Sequence, residues 1–151
     1  MTLLADLMRG RFAHRAPLAC FEDLSAEQAG QRIVHVPHTI WQTVWHLDYW
    51  MELEIRSIEG PEVIPPADWG VSWPREDGPA DETAWRTEIA RFRNNLDRLI
   101  AVAEAERDTL ARVIHPTHGI TVERAIGVLA AHNSYHLGQI VTIRQALQQW
   151  G

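Results

Sequence analysis

A histidine pair inside one long amphipathic segment is the feature that most constrains how this chain folds. Residues 121–149 carry apolar side chains every three or four positions, which predicts a single helix. His132 and His136 fall in the middle of its inward stripe, and positions i and i+4 share one face of a helix. Burying two unpartnered imidazoles costs of the order of 1–3 kcal/mol each. A shared metal ion removes that cost, so the spacing favours a metal site.

Such a site needs a third ligand from elsewhere in the chain, and the best candidate is His46. A second amphipathic helix is predicted over residues 39–59, where Gly60-Pro61 ends the pattern. His46 lies at the edge of its apolar stripe, about 100° around the helix from Leu47. Three neutral imidazoles leave an open coordination position, which suits a catalytic ion better than a structural one. Nitrogen ligands of this kind favour zinc or nickel.

Two more amphipathic segments complete an all-α pattern. A helix is predicted over residues 3–24, with a kink or break near Pro17 because a proline ring clashes with the preceding turn. Another is predicted over residues 81–107, capped by Asp81 or Thr83, with its charged side, including Glu88, facing solvent.

The segment between the second and third helices, residues 60–81, is predicted to be a long irregular loop. Five of the eight prolines lie between Pro61 and Pro79. Loops this long in a compact domain are often functional. Trp69 and Trp73 in this loop either shape the mouth of a substrate pocket or anchor the loop by packing.

The composition limits the classes of function. A length of 151 residues predicts one domain, residues 1–151. A net charge of −6 argues against a nucleic-acid partner, and Cys20, the only cysteine, excludes an internal disulfide. The N-terminal residues do not have the pattern of a signal peptide, and no apolar run is long enough for a membrane span. We therefore predict a cytoplasmic protein.

Several polar side chains are candidates for a supporting role around the metal. His14 falls on the inward stripe of the first helix, where it is either a hydrogen-bonded histidine or a contact to a ligand or substrate. Asn133 is our first candidate for accepting an imidazole N–H, and the other candidates are Asp48, Tyr135 and Gln139.

The remaining histidines lie in connectors. His115 and His118 flank Pro116 and form an alternative metal-binding pair, but a flexible loop positions ligands less well than a helix does. His35 and His38 are interpreted as surface or capping residues.

Two runs of sequence carry a family resemblance. Residues 41–47, WQTVWHL, and residues 132–140, HNSYHLGQI, resemble the DinB/YfiT-like superfamily of metalloenzymes. The similarity covers nearly the whole chain, and Ala13-His14, residues 37–41 and Ala84-Trp85 resemble one bacterial DinB-like subgroup. The connector departs from the pattern, because residues 116–119, PTHG, stand where similar sequences carry a Gly-Asp-Gly-like turn.

The resemblance implies a four-helix bundle of up-down-down-up topology with a long crossover loop. It also implies a divalent metal ion, commonly nickel or zinc, bound by His46, His132 and His136. Members of the superfamily often form homodimers. Some relatives are thiol-dependent transferases or isomerases that use mycothiol, bacillithiol or glutathione as cosubstrate.

Three hypotheses follow for the function. The first is a metal-dependent transferase or hydrolase acting on a small molecule, in which the metal activates a low-molecular-weight thiol, as in an S-transferase, or water. The second is a non-catalytic, stress-responsive helical bundle that binds a metal or ligand. The third is a plain bundle in which the histidines are packed and hydrogen-bonded. The sequence offers no separate general base.

Overall fold

A computed structural model describes residues 2–61 and 63–150; Met1, Glu62 and Gly151, which the predicted domain includes, lie outside these described residues. The chain is mostly helical, as predicted, with one small antiparallel sheet. In the described part, every helix is too short or too polar to cross a lipid bilayer. The α-helices are α1 (Leu3–Met8), α2 (Ala26–Ala29), α3 (Ile40–Glu59), α4 (Glu82–Ala103), α5 (Arg107–Ala111) and α6 (Val122–Ala146), and the strands are β1 (Val113–His115) and β2 (Ile120–Thr121). Short 3-10 turns lie at Leu18–Cys20, Trp69–Ser72 and Pro116–His118.

A side chain caps the start of each of the three long helices. Thr39 caps α3 in a capping box with Gln42, so that each side chain accepts a backbone N–H of the other residue. The side chain of Asp81 caps α4, and that of Thr121 caps α6. These caps satisfy backbone N–H groups that have no partner inside the helix.

The predicted first helix is wrong over most of its length. Helix α1 ends at Met8, well before Pro17, because Gly10 adopts a left-handed conformation with φ of 73°. The Gly10 N–H then bonds to the Leu7 carbonyl and the Arg11 N–H to the Asp6 carbonyl, which is the Schellman pattern of a helix end. A Cβ at position 10 would lie 2.7 Å from the Arg15 carbonyl oxygen.

Residues 18–24 contain only a short 3-10 turn, Leu18–Cys20, and tertiary contacts hold this segment in place. The Trp85 indole N–H donates to the Leu24 carbonyl at 2.7 Å, which ties this segment to α4. The buried Arg144 guanidinium donates to the Cys20 carbonyl and to both carboxylate oxygens of Asp23, which ties it to α6. Periodicity alone does not reveal such long-range partners, and here they override the helical pattern.

The region after α4 also differs from the prediction. Helix α4 ends at Ala103, four residues before the predicted end, and α5 is a separate short helix. The connector that follows, predicted as irregular, forms the β1–β2 hairpin. His115 is buried there with its Nε2 3.1 Å from a Glu54 carboxylate oxygen, whereas His118 is exposed. The structure therefore gives His115 a partner on α3 and not a shared site with His118.

The core lies where the long helices meet. Helix α3 packs on α4 and α6, and α1 packs on α4 and α6. Trp85, Phe92 and Phe21 are fully buried, and the Phe21 and Phe92 rings meet edge to face with centroids 5.0 Å apart. Residues 3–24 thus contribute Phe21 to the core even though they do not form one continuous helix.

The loop between α3 and α4, residues 60–81, is called the crossover loop below and is held against the start of α3. The Thr39 hydroxyl donates to the Asp77 carbonyl at 2.6 Å, and the Gln42 carboxamide donates to the Pro74 carbonyl at 3.1 Å. Arg32 makes a two-pronged ion pair with the Asp77 carboxylate. These contacts fix the end of the loop and place Ser72 and Trp73 beside the first turns of α3.

One predicted solvent-facing residue is buried. Glu88 on α4 is 3% exposed, and its Oε1 has no hydrogen-bond partner among the described residues. Its other oxygen lies 3.4 Å from Arg91, which also bonds the fully buried Asp48 of α3 at 2.6 Å. Burial and the neighbouring Asp48 charge raise the pKa of Glu88 to about 7.

We expect Glu88→Gln to stabilise the protein at pH 8 by ~1–3 kcal/mol and to have little effect at pH 5. The raised pKa means that the folded state binds more protons than the unfolded state between about pH 4.5 and 7. The contribution of Glu88 to stability therefore falls as the pH rises through that window. Chemical denaturation of both proteins at the two pH values measures this, with the exposed Glu76→Gln as the matched control. Equal effects of Glu88→Gln at pH 5 and pH 8 would contradict the assignment.

Candidate metal centre

His46 of α3 meets His132 and His136 of α6 in the interior. Their metal-binding nitrogens all lie within 4.8 Å of one another, and the Nε2 atoms of His46 and His132 are 3.1 Å apart. His46 and His136 are buried, and His132 is half-buried. The structure thus brings together the three histidines that the sequence singled out.

The backbone of the crossover loop sets the tautomer of His46. Its Nδ1 lies 3.1 Å from the Ser72 carbonyl oxygen and 2.9 Å from the Ser72 hydroxyl. A carbonyl oxygen only accepts hydrogen bonds, so Nδ1 carries the proton and Nε2 presents a lone pair. The Ser72 hydroxyl donates to the Trp69 carbonyl at 2.7 Å, which leaves its oxygen free to accept from His46.

The two histidines of α6 are supported differently. His136 Nδ1 lies 2.7 Å from Gln139 Oε1, one helical turn away, which directs its Nε2 toward the cluster. His132 Nδ1 is buried and has no hydrogen-bond partner among the described residues, and the same holds for Asn133 Oδ1. Of the two histidines on α6, only His136 therefore has its Nδ1 hydrogen-bonded within the described residues.

Trp73 covers the His46 ring. The two rings stack with centroids 3.7 Å apart and an interplanar angle of 8°, and His38 stacks on the other face of the indole at 3.6 Å. The sandwich restricts rotation of His46 about its side-chain bonds. Together with the Ser72 hydrogen bonds, it holds the imidazole in one orientation.

Burial keeps the three imidazoles neutral. Desolvation, followed by the neighbouring His132 and His136, lowers the pKa of His46 to about 3. Desolvation and His136 lower the pKa of His132 to about 4, and desolvation lowers that of His136. Neutral imidazole is the form that binds metal, so the cluster is ready to ligate throughout the neutral range.

One pair of nitrogens in the cluster has the spacing that a shared divalent ion requires. Two nitrogens that bind one ion at roughly 2.1 Å lie about 3.0 Å apart in an octahedral centre and about 3.4 Å apart in a tetrahedral one. The observed 3.1 Å between His46 Nε2 and His132 Nε2 lies between these values. Without an ion, His46 would direct an unprotonated nitrogen at the two other imidazoles of the cluster. The donor set is the one that zinc or nickel prefers.

Two predicted supporting residues lie beside the cluster. Trp73 stacks directly on His46, as described above. Asn133 is buried next to His132 in the chain, but its amide nitrogen lies 3.5 Å from the Met51 sulfur. Its Oδ1 has no hydrogen-bond partner among the described residues, although the Asn133 side chain opposes the effect of burial on the pKa of His132.

The other predicted supporting residues lie farther out. His14 bonds the Ser134 hydroxyl at 2.9 Å, on the α6 turn between the two histidines, and so supports the helix instead of a ligand. Asp48 bonds Arg91 and Asn95 of α4, on the opposite side of α3 from His46. Trp69 is 67% exposed and packs on Trp50.

Ser72 and His38 belong to the site although the sequence did not indicate them. Ser72 is an ordinary polar residue in an irregular loop, and only the docking of that loop on α3 brings it to His46. His38 was interpreted as a surface or capping residue, and its stacking on Trp73 corrects this. The Pro37-His38-Thr39 sequence just before the α3 cap was the one available signal.

The fold and the site together define a mostly helical protein with a three-histidine cluster compatible with a metal site. A family model described as the DinB superfamily matches residues 10–140. The chain therefore belongs to the DinB superfamily, as the sequence resemblance predicted. Searches of curated proteins and of solved structures returned no match.

We expect the metal-free protein to lose stability as the pH falls from about 6.5 toward 4. The unfolded chain accepts protons on histidine near pH 6.5, whereas folded His46 has a pKa of about 3. The unfolded state therefore binds more protons in this window, so stability rises with pH. Thermal melts in chelator between pH 4.5 and 7 measure the slope. His46→Gln should flatten it and the exposed His118→Gln should not; equal slopes for the two variants would show that His46 is not the source.

Proposed function

We propose that this protein is a metal-dependent enzyme in which His46, His132 and His136 bind one divalent ion, nickel or zinc. The reaction we favour is transfer from an electrophilic small molecule to a low-molecular-weight thiol, that is, an S-transferase. Hydrolysis of a small-molecule substrate is the related alternative. The observation that carries the proposal is the convergence of three neutral imidazoles, two buried and one half-buried, whose nitrogens lie within 4.8 Å of one another.

The surrounding residues support a site that is held in position for catalysis. Ser72 and Gln139 accept the Nδ1 protons of His46 and His136, which directs both Nε2 lone pairs inward. Trp73 excludes water from one face of His46. Three protein ligands leave at least one position for substrate, which a closed structural site would not.

The chemistry available at such a centre favours thiol transfer. A divalent ion bound there lowers the pKa of a coordinated water toward ~7 and ionises a coordinated thiol. In the described residues, His46 bonds Ser72, His136 bonds Gln139, and His46 and His132 bond each other. None of these partners is a carboxylate. A thiolate attacks without a general base, whereas water attack usually uses one, so this environment suits transfer better than hydrolysis.

We also propose the assembly that the family resemblance implies. The chain would be one DinB-like domain, a four-helix bundle of up-down-down-up topology with residues 60–81 as the crossover. It would act as a cytoplasmic homodimer. The packing of α3 on α4 and α6, and of α1 on the same two helices, supports a bundle.

A metal titration tests the centre. Protein purified without a nickel column should bind one equivalent of zinc or nickel, and the bound ion should stabilise it by ~2.7 kcal/mol at a free concentration of one hundred times Kd. His46→Ala should abolish this stabilisation. Ser72→Ala should weaken affinity about tenfold, because the Ser72 carbonyl still accepts from His46. His118→Ala is the control, and unchanged affinity in His46→Ala would remove the proposed site.

An activity screen tests the enzyme. Metal-loaded protein should conjugate a small-molecule thiol to an electrophile such as 1-chloro-2,4-dinitrobenzene, with loss of chloride and of the thiol proton. Turnover should fall at least a hundredfold in His46→Ala and on chelation, and should return when the metal is restored. Turnover that survives in His46→Ala would contradict a catalytic role for the centre.

The absence of a nearby carboxylate among the described partners also supports a second candidate. The protein would then be a non-catalytic, stress-responsive bundle that binds a metal or a ligand. Fully metal-loaded protein that turns over neither thiol–electrophile pairs nor esters, yet binds the metal tightly, would favour this candidate over the enzyme.

A further inference from the structure

A cavity of about 480 Å³ lies between α6 and the segment that leads into α3. This volume is in the range of small-molecule binding sites. Its walls are mainly apolar, with Ile33, Val36 and Pro37 on one side and Ile143 and Ala146 on the other. It opens to solvent, so a ligand does not need to unfold any element to enter.

Gly138 forms part of the α6 wall and leaves the cavity open. A Cβ built at this position meets no atom within 4 Å, so the glycine faces open space. Gly138 therefore does not serve a close contact between helices. Glycine lowers helix stability relative to alanine, and no backbone conformation requires it here. The residue keeps a volume empty that any larger side chain would occupy.

Two residues connect the cavity with the three-histidine centre. Gln139 lines the cavity, and the same side chain accepts the hydrogen bond of His136 through Oε1. His38 also lines the cavity and stacks on Trp73, which in turn stacks on His46. The wall of the cavity is therefore continuous with the supports of two of the three histidines.

We propose that this cavity binds the apolar part of the substrate, an aryl or branched alkyl group, while the polar reacting end of the same molecule extends past Gln139 to the three histidines. The inference rests on the proposed metal-dependent function and specifies its substrate class. The apolar walls provide burial for the hydrocarbon portion, at about 25 cal/mol per Å² of apolar surface removed from water.

Paired probes separate the cavity from the metal. Acetohydroxamate contacts only a metal ion, whereas 2-naphthohydroxamate adds an aryl group of the kind the cavity would hold. With zinc-loaded wild-type protein, calorimetry should show the naphthyl probe binding at least tenfold more tightly than the acetyl probe. In Gly138→Leu that ratio should fall below threefold, while the affinity for acetohydroxamate should stay within twofold of wild type.

Gly127→Ala is the matched control. Gly127 lies on the same helix but faces Leu4 of α1, and its added Cβ would make an ordinary contact at 3.9 Å. It should keep the tenfold ratio. Thermal melts establish that both variants are folded, and Gly138→Ala provides a smaller step that reduces the ratio only in part.

The outcomes distinguish the two proposals. If acetohydroxamate binds and the naphthyl group adds nothing, or Gly138→Leu leaves the ratio unchanged, the substrate inference is overturned and the metal centre stands. If both hydroxamates fail but 2-naphthol binds chelator-treated wild type and not Gly138→Leu, the metal chemistry is overturned and the apolar site alone is supported. A change of oligomeric state in Gly138→Leu without an effect on either probe would make this surface an interface and overturn the inference.

Discussion

The orientation of one imidazole depends on a loop and not on the helix that carries it. His46 lies on α3, but the Ser72 carbonyl and hydroxyl accept its Nδ1 proton, and Trp73 stacks on its face. Both residues come from the crossover segment that follows α3. If the loop were not docked, His46 would be free to rotate and its Nε2 would not be directed at the pair on α6. The three-histidine centre is therefore a consequence of how the loop packs.

The loop docks because the residues that cap α3 also hydrogen-bond to the loop. Thr39 and Gln42 form the capping box of the helix, and their side chains also donate to the backbone of the loop at Asp77 and Pro74. Arg32 adds an ion pair with Asp77 from the segment before the helix. Backbone carbonyls that would otherwise be unsatisfied in an irregular, proline-rich segment thus find partners. The same contacts place His38 on the other face of Trp73 and so join the centre to the adjoining cavity.

Helix α3 separates two different polar environments. His46 faces the metal-compatible cluster, and Asp48, two residues later, faces Arg91 and Asn95 of α4 on the other side. In the first environment, burial favours neutral bases, which suits metal binding. In the second, burial raises the pKa of the Asp48 and Glu88 carboxyl groups, and Arg91 only partly opposes this. Two residues that are close in sequence therefore lie in different environments because of the helical rotation between them.

The sequence by itself determined the three long helices, a cap at Asp81 or Thr83 for one of them, and the face on which His132 and His136 lie, because these follow from local periodicity and capping chemistry. It did not determine that the predicted first helix ends at Met8, since the Schellman turn at Gly10 and the long-range hydrogen bonds of Trp85 and Arg144 override its apolar pattern. It also did not determine the support of His46 by Ser72, the stacking of His38, the burial of Glu88 or the open space at Gly138. Each of these depends on which distant segment packs against a residue, and only the tertiary structure decides that.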